Sequence, residues 1–213
     1  MQDQLSEYIA NHISPEPDLL AETYLHTQIH HLYPRMCSGH IQGRILKMLT
    51  AMIRPKKVLE LGTFTGYSAL CIAEGMPEDA HLHTVEIDDE MEDELLTRFA
   101  RSAAADRIHL HIGDALEVVP TLENEAPFDM VFIDANKRHY PEYFEMTVKM
   151  VRPGGFIIAD NTLWDGKVAE AEPATDPQTR GIMKFNDIVA RDPRVETAMI
   201  PLRDGLTILR VLP

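Results

Sequence analysis

The sequence lacks the features of several large protein classes. It contains two cysteines among 213 residues, Cys37 and Cys71, so neither a disulfide framework nor a cysteine-based metal site is expected, and a reducing cytoplasm suits the chain best. No run of about 18 consecutive apolar residues occurs, which excludes a membrane-spanning helix. The first residues, MQDQLSEYIANH, are polar and are not typical of a secretory signal.

Basic residues are scarce relative to acidic ones. Twenty lysines and arginines against 34 aspartates and glutamates give a formal net charge of −14. This balance disfavours non-specific binding to DNA, RNA or anionic lipid, although a local basic rim could still receive a nucleic acid. The hydrophobic fraction of 45% and the charged fraction of 25% are ordinary for a globular protein, and we expect one domain over residues 1–213.

The apolar pattern divides this domain into a helical cap, residues 1–53, and a sheet core, residues 54–213. Three helices are predicted in the cap, the third with apolar residues at three-to-four spacing from Ile41 to Met52. Five short apolar runs then alternate with helix-length segments, as in the βαβ units of a Rossmann-like α/β fold. The last two strands, 195–200 and 205–212, are joined by too short a turn for a parallel crossover. We therefore predict a seven-stranded, mostly parallel sheet with an antiparallel C-terminal hairpin.

The segment VLELGTFTGYS, residues 58–68, predicts a ligand-binding turn between the first strand of the core and the next helix. Glycines at such a turn permit close approach of a ligand to the backbone. The spacing is Gly-x-x-x-Gly rather than Gly-x-Gly-x-x-Gly, and Glu60 would repel phosphate. The turn thus favours a nucleoside ligand without phosphate over NAD, although a plain strand-to-helix turn remains an alternative reading.

Two later strand ends extend this prediction. Glu86, in HTVEID, could accept hydrogen bonds from both ribose hydroxyls, while its alternative role is a charge at the start of the following helix. Asp114 and Ala115, in HIGDAL, are placed to contact an adenine ring.

An oxygen-rich set follows the next two strands. Asp134 in FIDANK and Asp160 with Asn161 in FIIADN should converge, because neighbouring parallel strands end at one edge of a sheet. Carboxylate and amide oxygens suit Mg²⁺, with Mn²⁺ or Ca²⁺ as alternatives, although Asp and Asn also serve as helix caps and turn residues. Lys137 could reach the same site and accept a proton from a hydroxyl of the substrate, unless it is an ordinary solvated lysine.

Taken in order, VLELGTFTGYS, TVEID, GDA, FIDANK and ADNTLW resemble the cation-dependent O-methyltransferases related to catechol and caffeoyl-CoA O-methyltransferases. The resemblance implies the class I S-adenosylmethionine (SAM) fold, and it implies a homodimer because relatives are commonly dimeric. It implies contacts with SAM from Glu60, Gly62, Ser68, Glu86 and Asp134, and from Ser38 in a segment closing over the methionine end. It also implies Asp134, Asp160 and Asn161 as metal ligands and Lys137 as the catalytic base.

Two departures from the plant relatives concern the substrate side. Asn136 stands where these relatives often carry a second aspartate, and Asp165 where they often carry asparagine. The resemblance therefore predicts a small, catechol-like hydroxylated aromatic acceptor rather than caffeoyl-CoA. Methylation of hydroxyuridine in tRNA is the alternative, disfavoured by the acidic charge, and a non-catalytic protein on the same fold is disfavoured by the presence of Lys137.

Histidines form a further pattern. His26, His30 and His31 have a helical spacing that could suit a metal ion, but the sequence indicates no additional ligand, so no zinc site is predicted. His109 and His111 lie on a predicted strand away from the ligand-binding edge and are interpreted as structural.

Overall fold

The computed structural model describes residues 2–170 and 175–213. Three helices precede the sheet: α1, Gln2–Asn11; α2, Asp18–His30; and α3, Gly39–Ile53. The remaining helices are α4, Tyr67–Gly75; α5, Glu92–Phe99; α6, Ala115–Thr121; α7, Tyr140–Met150; and α8, Pro177–Val189. The strands are β1, Lys57–Leu61; β2, His81–Glu86; β3, Ile108–Ile112; β4, Phe128–Ile133; β5, Val151–Asp160; β6, Val195–Ile200; and β7, Leu206–Val211.

The seven strands form one sheet in the order β3-β2-β1-β4-β5-β7-β6. The first five are parallel, whereas β7 pairs antiparallel with both β5 and β6. The prediction of a mostly parallel sheet with a C-terminal hairpin is thus confirmed. Strand order reverses between β1 and β4, and the crevice at the carboxyl ends of such strands is where open α/β sheets bind ligands.

Both faces of the sheet are covered by helices. Successive residues of a strand point to opposite faces, so Leu59 of β1 packs in a core with α6, α7 and α8, while Val58 packs in a core with α3 and α4. Helices α3 and α4 approach closely, since a Cβ added at Gly43 would lie 2.7 Å from Cys71 Sγ. None of the helices within the described ranges is long and apolar enough to cross a membrane.

Four histidines line one face at the β2–β3 edge. His81 and His109 are hydrogen-bonded at 3.0 Å, and His83 and His111 at 3.1 Å. Burial lowers the pKa of His83 to about 4, and the charges of His109 and His111 also lower it. The charge of Glu125 acts in the opposite direction. Each pair shares one hydrogen bond between ring nitrogens of neighbouring strands, which agrees with a structural role for His109 and His111.

Candidate functional site

The turn after β1 brings the ends of two central strands together. Gly62 has φ +96°, and a Cβ at this position would lie 2.3 Å from the carbonyl oxygen of Asp134. The Gly62 N–H donates to Val85 O at 3.0 Å, and the Asp134 N–H donates to Leu61 O at 2.8 Å. Glycine is required here because it has no Cβ and tolerates positive φ.

Glu60 is completely buried beneath this turn. The Thr84 hydroxyl donates to Glu60 Oε2 at 2.5 Å. Burial raises the pKa of Glu60 to about 8, and the nearby acids Asp134 and Glu86 also raise it. The hydroxyls of Ser68 and Thr84 favour the charged form and so lower the pKa in part. Several acidic groups therefore surround one small region, where a cationic ligand would be favoured.

Glu86, the last residue of β2, is bonded to the glycine turn. Its Oε2 accepts from the Phe64 N–H at 2.6 Å, and its Oε1 accepts from the Asp88 N–H at 3.0 Å. Burial raises the pKa of Glu86 despite these backbone donors. The side chain is thus held at the carboxyl end of β2 next to the turn. This position lies both at the edge of the sheet predicted to bind a ligand and near the start of the next helix.

Two other predicted cofactor residues lie at helix starts. Asp114 is the N-cap of α6, with Oδ1 accepting from the Leu116 N–H at 2.8 Å, and Ala115 is the buried first residue of that helix. Ser68 is buried in the first turn of α4. The capping bond of Asp114 was not predicted; it fixes the carboxylate at the edge of the sheet while leaving acceptor capacity on the other oxygen.

The ends of β4 and β5 carry the oxygen-rich set. Asp134 follows β4, and its Oδ1 lies 2.5 Å from Lys137 Nζ. Asp160 ends β5, where Oδ2 accepts from Gln42 Nε2 at 2.6 Å and Oδ1 accepts from the Asn161 N–H at 2.8 Å. Asn161 itself has φ +57°, so the chain turns sharply at this point.

The Tyr140 hydroxyl ties these two strand ends together. It lies 2.9 Å from Asp160 O and 3.2 Å from Ile133 O, and the side chain is fully buried. The register of Ile133 opposite Ala159 places Asp134 and Asp160 at adjacent ends. Convergence of the two carboxylates therefore follows from strand pairing and from one buried hydroxyl.

The carboxylates of Asp134 and Asp160 repel each other at these strand ends. Asp160 is 4% exposed, and burial followed by the charge of Asp134 raises its pKa to about 6, against the Gln42 hydrogen bond and the charge of Lys137. A divalent cation would relieve the repulsion between two close, desolvated carboxylates. The donors present are oxygens, the type that Mg²⁺, Mn²⁺ and Ca²⁺ prefer, so the residues fit such an ion.

Arg203, in the turn between β6 and β7, holds the segment that precedes α3. Its guanidinium donates to Ser38 O, to Cys37 O at 3.2 Å and to Gln42 Oε1 at 3.2 Å. The bond to Oε1 orients the Gln42 amide so that its NH₂ group faces Asp160. Ser38, predicted to lie near the cofactor, is buried at this junction.

Sequence reasoning missed Gln42, Tyr140 and Arg203. Gln42 is 1% exposed, yet in the sequence it is a polar residue between apolar ones on an amphipathic helix. Arg203 lies in a polar turn more than 160 positions from its partners. A buried glutamine beside an aspartate at a strand end is a signal only once the fold is known.

Comparisons with known proteins identify the family to which the chain belongs. The family model described as O-methyltransferase matches residues 10–212. The chain is 34% identical over 221 residues to tricin synthase 2 of Oryza sativa subsp. japonica, covering 99% of this chain and 75% of the relative. It is 32% identical over 203 residues to the catechol O-methyltransferase of Niastella koreensis, covering 94% of this chain and 90% of the relative.

A solved structure gives the same result. The O-methyltransferase TomG from Streptomyces achromogenes, in complex with SAM, superposes with a TM-score of 0.92 at 30% identity, covering 99% of this chain and 96% of that one. With the family model spanning nearly the whole length, the chain belongs to the class I SAM-dependent O-methyltransferases of the catechol and caffeoyl-CoA type.

Proposed function

We propose that this methyltransferase transfers the methyl group of SAM to a hydroxyl of a small, catechol-like aromatic acceptor held at a divalent cation. The observation that carries the proposal is the meeting of Asp134, Lys137 and Asp160 at the ends of β4 and β5, beside the glycine turn of β1.

The cofactor residues in this proposal lie along one edge. Glu86 would accept hydrogen bonds from the ribose hydroxyls, Asp114 and Ala115 would contact the adenine, and Gly62 would let the backbone approach the methionine part. The remaining contacts would come from Ser38, Glu60, Ser68 and Asp134. SAM carries a sulfonium. Burial raises the pKa values of Glu60 and Glu86, and a positive ligand beside them would favour their charged forms.

The cation would be held by Asp134, Asp160 and Asn161, with Mg²⁺ as the first candidate and Mn²⁺ or Ca²⁺ as alternatives. When bound, it would favour the deprotonated form of the acceptor hydroxyl and orient two adjacent oxygens. Lys137, whose Nζ lies 2.5 Å from Asp134 Oδ1, would accept the hydroxyl proton in its neutral form. The hydrogen bond from Gln42 favours the charged form of Asp160, and the Tyr140 hydroxyl contacts both strand ends.

The acceptor class rests on a relative named catechol O-methyltransferase. Adjacent hydroxyls on one ring can approach the two carboxylates together, which makes binding also an orientation of the reacting oxygen. The formal charge of −14 opposes the alternative acceptor, hydroxyuridine in tRNA.

The test measures S-adenosylhomocysteine formation with catechols, hydroxycinnamates, flavonoids and hypomodified tRNA, after EDTA treatment and after return of Mg²⁺, Mn²⁺ or Ca²⁺. We expect catechol turnover that requires the ion and is abolished in Lys137→Met and Asp160→Ala, while calorimetry still detects SAM binding. Lys149→Met, at an exposed position of α7, is the matched control. Undiminished turnover in EDTA would remove the cation, and preferential turnover of tRNA would replace the acceptor.

We also propose a homodimer formed through α2. Leu25, Ile29 and Leu32 are 59%, 64% and 91% exposed, an unusual exposure for three leucine or isoleucine side chains on one stretch. Light scattering after gel filtration should give twice the mass of the chain, and Ile29→Asp with Leu32→Asp should give the monomer. For the compartment we propose the cytoplasm, since both cysteines are free and buried.

A further inference from the structure

A second cluster of metal-binding side chains lies outside the site described above. His26 of α2, His31 at the end of that helix, and Glu94 of α5 offer ligand atoms that all lie within 4.8 Å of one another. His26 Nδ1 is 3.5 Å and His31 Nε2 is 3.4 Å from Glu94 Oε1. The sequence showed the histidines without a further ligand; the fold supplies Glu94 from a position more than 60 residues away.

These distances match a tetrahedral ion. Bonds of roughly 2.0–2.1 Å from zinc to nitrogen and oxygen separate neighbouring ligand atoms by about 3.3–3.4 Å. His31 Nε2 is buried and has no hydrogen-bond partner among the described residues. A buried ring nitrogen that has no partner and lies 3.4 Å from a carboxylate oxygen is available as a ligand for a metal ion.

We propose that His26, His31 and Glu94 bind one transition-metal ion of the Zn²⁺ class, with water or His30 completing the coordination. Two imidazoles and one carboxylate select such ions over Mg²⁺ and Ca²⁺, which prefer oxygen ligands alone. The ring centroid of His30 lies 4.5 Å from that of His26, and the His30 side chain is exposed, so it can rotate toward the ion.

Arg98 is the positive group that faces this cluster. Its Nη1 is 2.8 Å from Glu94 Oε1, and its Nη2 is 3.4 Å from His26 Nδ1. The shorter bond, 2.6 Å from Nη1 to Thr65 O, anchors the guanidinium to the glycine turn. In the metal-bound form the lone pair of His26 Nδ1 would bind the ion, so the hydrogen bond from Arg98 Nη2 would be lost. Arg98 would keep its contact with the carboxylate, as groups around metal ligands commonly do, while its charge lowers the affinity.

The position of the cluster gives the ion a structural role. The His31 ring packs edge-on against Phe64 with centroids 5.4 Å apart, and Thr27 Oγ1 donates to Thr65 Oγ1 at 2.9 Å. An ion bound by α2 and α5 would therefore fasten the N-terminal helices to the turn that follows β1. This role is independent of the proposed acceptor and of the oxygen-rich site.

The experiment titrates the EDTA-treated full chain with Zn²⁺ by calorimetry and with Co²⁺ by visible absorption, in millimolar Mg²⁺ to occupy the oxygen site. We expect one ion per chain, a tetrahedral Co²⁺ spectrum, and a rise in Tm of about 8 °C at a 100-fold excess over Kd. His31→Gln and Glu94→Gln should weaken binding at least 10-fold and remove the rise. Both variants are of nearly unchanged volume, and circular dichroism checks their folding.

Two matched controls locate the ion. Glu92→Gln changes an exposed carboxylate on the same helix, and the double variant His81→Gln with His109→Gln removes the other histidine cluster; both should bind as the unaltered chain does. Unchanged binding in His31→Gln and Glu94→Gln, loss only in the His81–His109 variant, or no uptake of Zn²⁺ at all would overturn the proposal.

Discussion

Replacing Asp160 with asparagine should stabilise the metal-free protein while destroying its proposed metal site. The carboxylate is buried beside Asp134, and these two causes raise its pKa from 3.8 to about 6. A raised carboxylate pKa means that the folded state binds more protons than the unfolded state between these two values. The free energy of unfolding therefore falls as the pH rises from about 4 to about 6, and the penalty is complete above that range.

The magnitude follows from the shift. Each pKa unit corresponds to about 1.36 kcal/mol, so a shift of roughly two units costs about 3 kcal/mol at neutral pH. Asparagine has one acceptor oxygen for the two donors, Gln42 Nε2 and the Asn161 N–H, and the buried donor left without an acceptor costs about 2 kcal/mol. The net gain is about 1 kcal/mol, or about 3 °C in Tm for a chain of this length.

The assay is urea unfolding of both proteins at several pH values between 4 and 8, in EDTA and again in Mg²⁺. In EDTA the stability of the variant relative to the parent chain should increase as the pH rises to about 6. In Mg²⁺ the order should reverse, since an ion at 100 times its Kd stabilises only the chain that binds it, by about 2.7 kcal/mol.

Asp129→Asn is the matched control with the opposite sign. Asp129 accepts from the backbone N–H groups of Lys56 and Lys57 and pairs with Arg152 at 2.5 Å. Burial alone would raise the pKa of Asp129, but these hydrogen-bonding partners lower it overall. The contribution of the Asp129 carboxylate to stability is therefore lost as the pH falls. The control should be less stable at neutral pH. An Asp160→Asn protein that is less stable in EDTA at pH 8, or whose gain does not change with pH, would refute the electrostatic argument.

Three further outcomes are expected. Gly62→Ala should abolish SAM binding and cost several kcal/mol of stability in calorimetric unfolding, because its Cβ would meet the carbonyl of Asp134. Gly166→Ala, where nothing lies within 4 Å of the added atom, should cost about 1 kcal/mol, and equal effects of the two substitutions would contradict this reasoning. Gln42→Leu should weaken Mn²⁺ binding roughly 10-fold by removing a hydrogen bond to a charged group, measured by electron paramagnetic resonance, and an unchanged Kd would exclude the orienting role. His83→Gln should be more stable than the parent chain below pH 6 and lose that advantage above pH 7. The reason is that the lowered pKa of His83 destabilises the folded parent chain only at pH values where His83 is protonated in the unfolded chain. A difference in stability that does not change with pH would contradict this prediction.

The sequence predicted the parts of the site that depend on local chain direction. The glycine turn after β1, the glutamate that ends β2 and the aspartate after β4 are each fixed by where an apolar run stops. The structure places Gly62, Glu86 and Asp134 at one edge of the sheet as expected. Strand count and the hairpin direction were equally accessible, because turn length alone excludes a parallel connection there.

Contacts that depend on distant segments could not be predicted. Gln42 reaches Asp160 across 118 positions, and neither residue type nor spacing indicates this hydrogen bond. Glu94 approaches His31 because α5 packs beside α2, an arrangement set by how the helices cover the sheet. A carboxylate in an acidic helical segment is otherwise indistinguishable from its exposed neighbours.

The edge of the sheet is electrostatically frustrated before any ligand arrives. Glu60, Glu86 and Asp160 all have raised pKa values, and in each case burial is the largest cause. A fold selected for stability alone would place neutral groups at these positions, since each buried acid lowers the free energy of unfolding at neutral pH. The sulfonium of SAM and the proposed divalent cation are both positive, and either one would favour the charged form of these buried acids. The cost of burying the three carboxyl groups and the proposed affinity for positive ligands would therefore have the same origin.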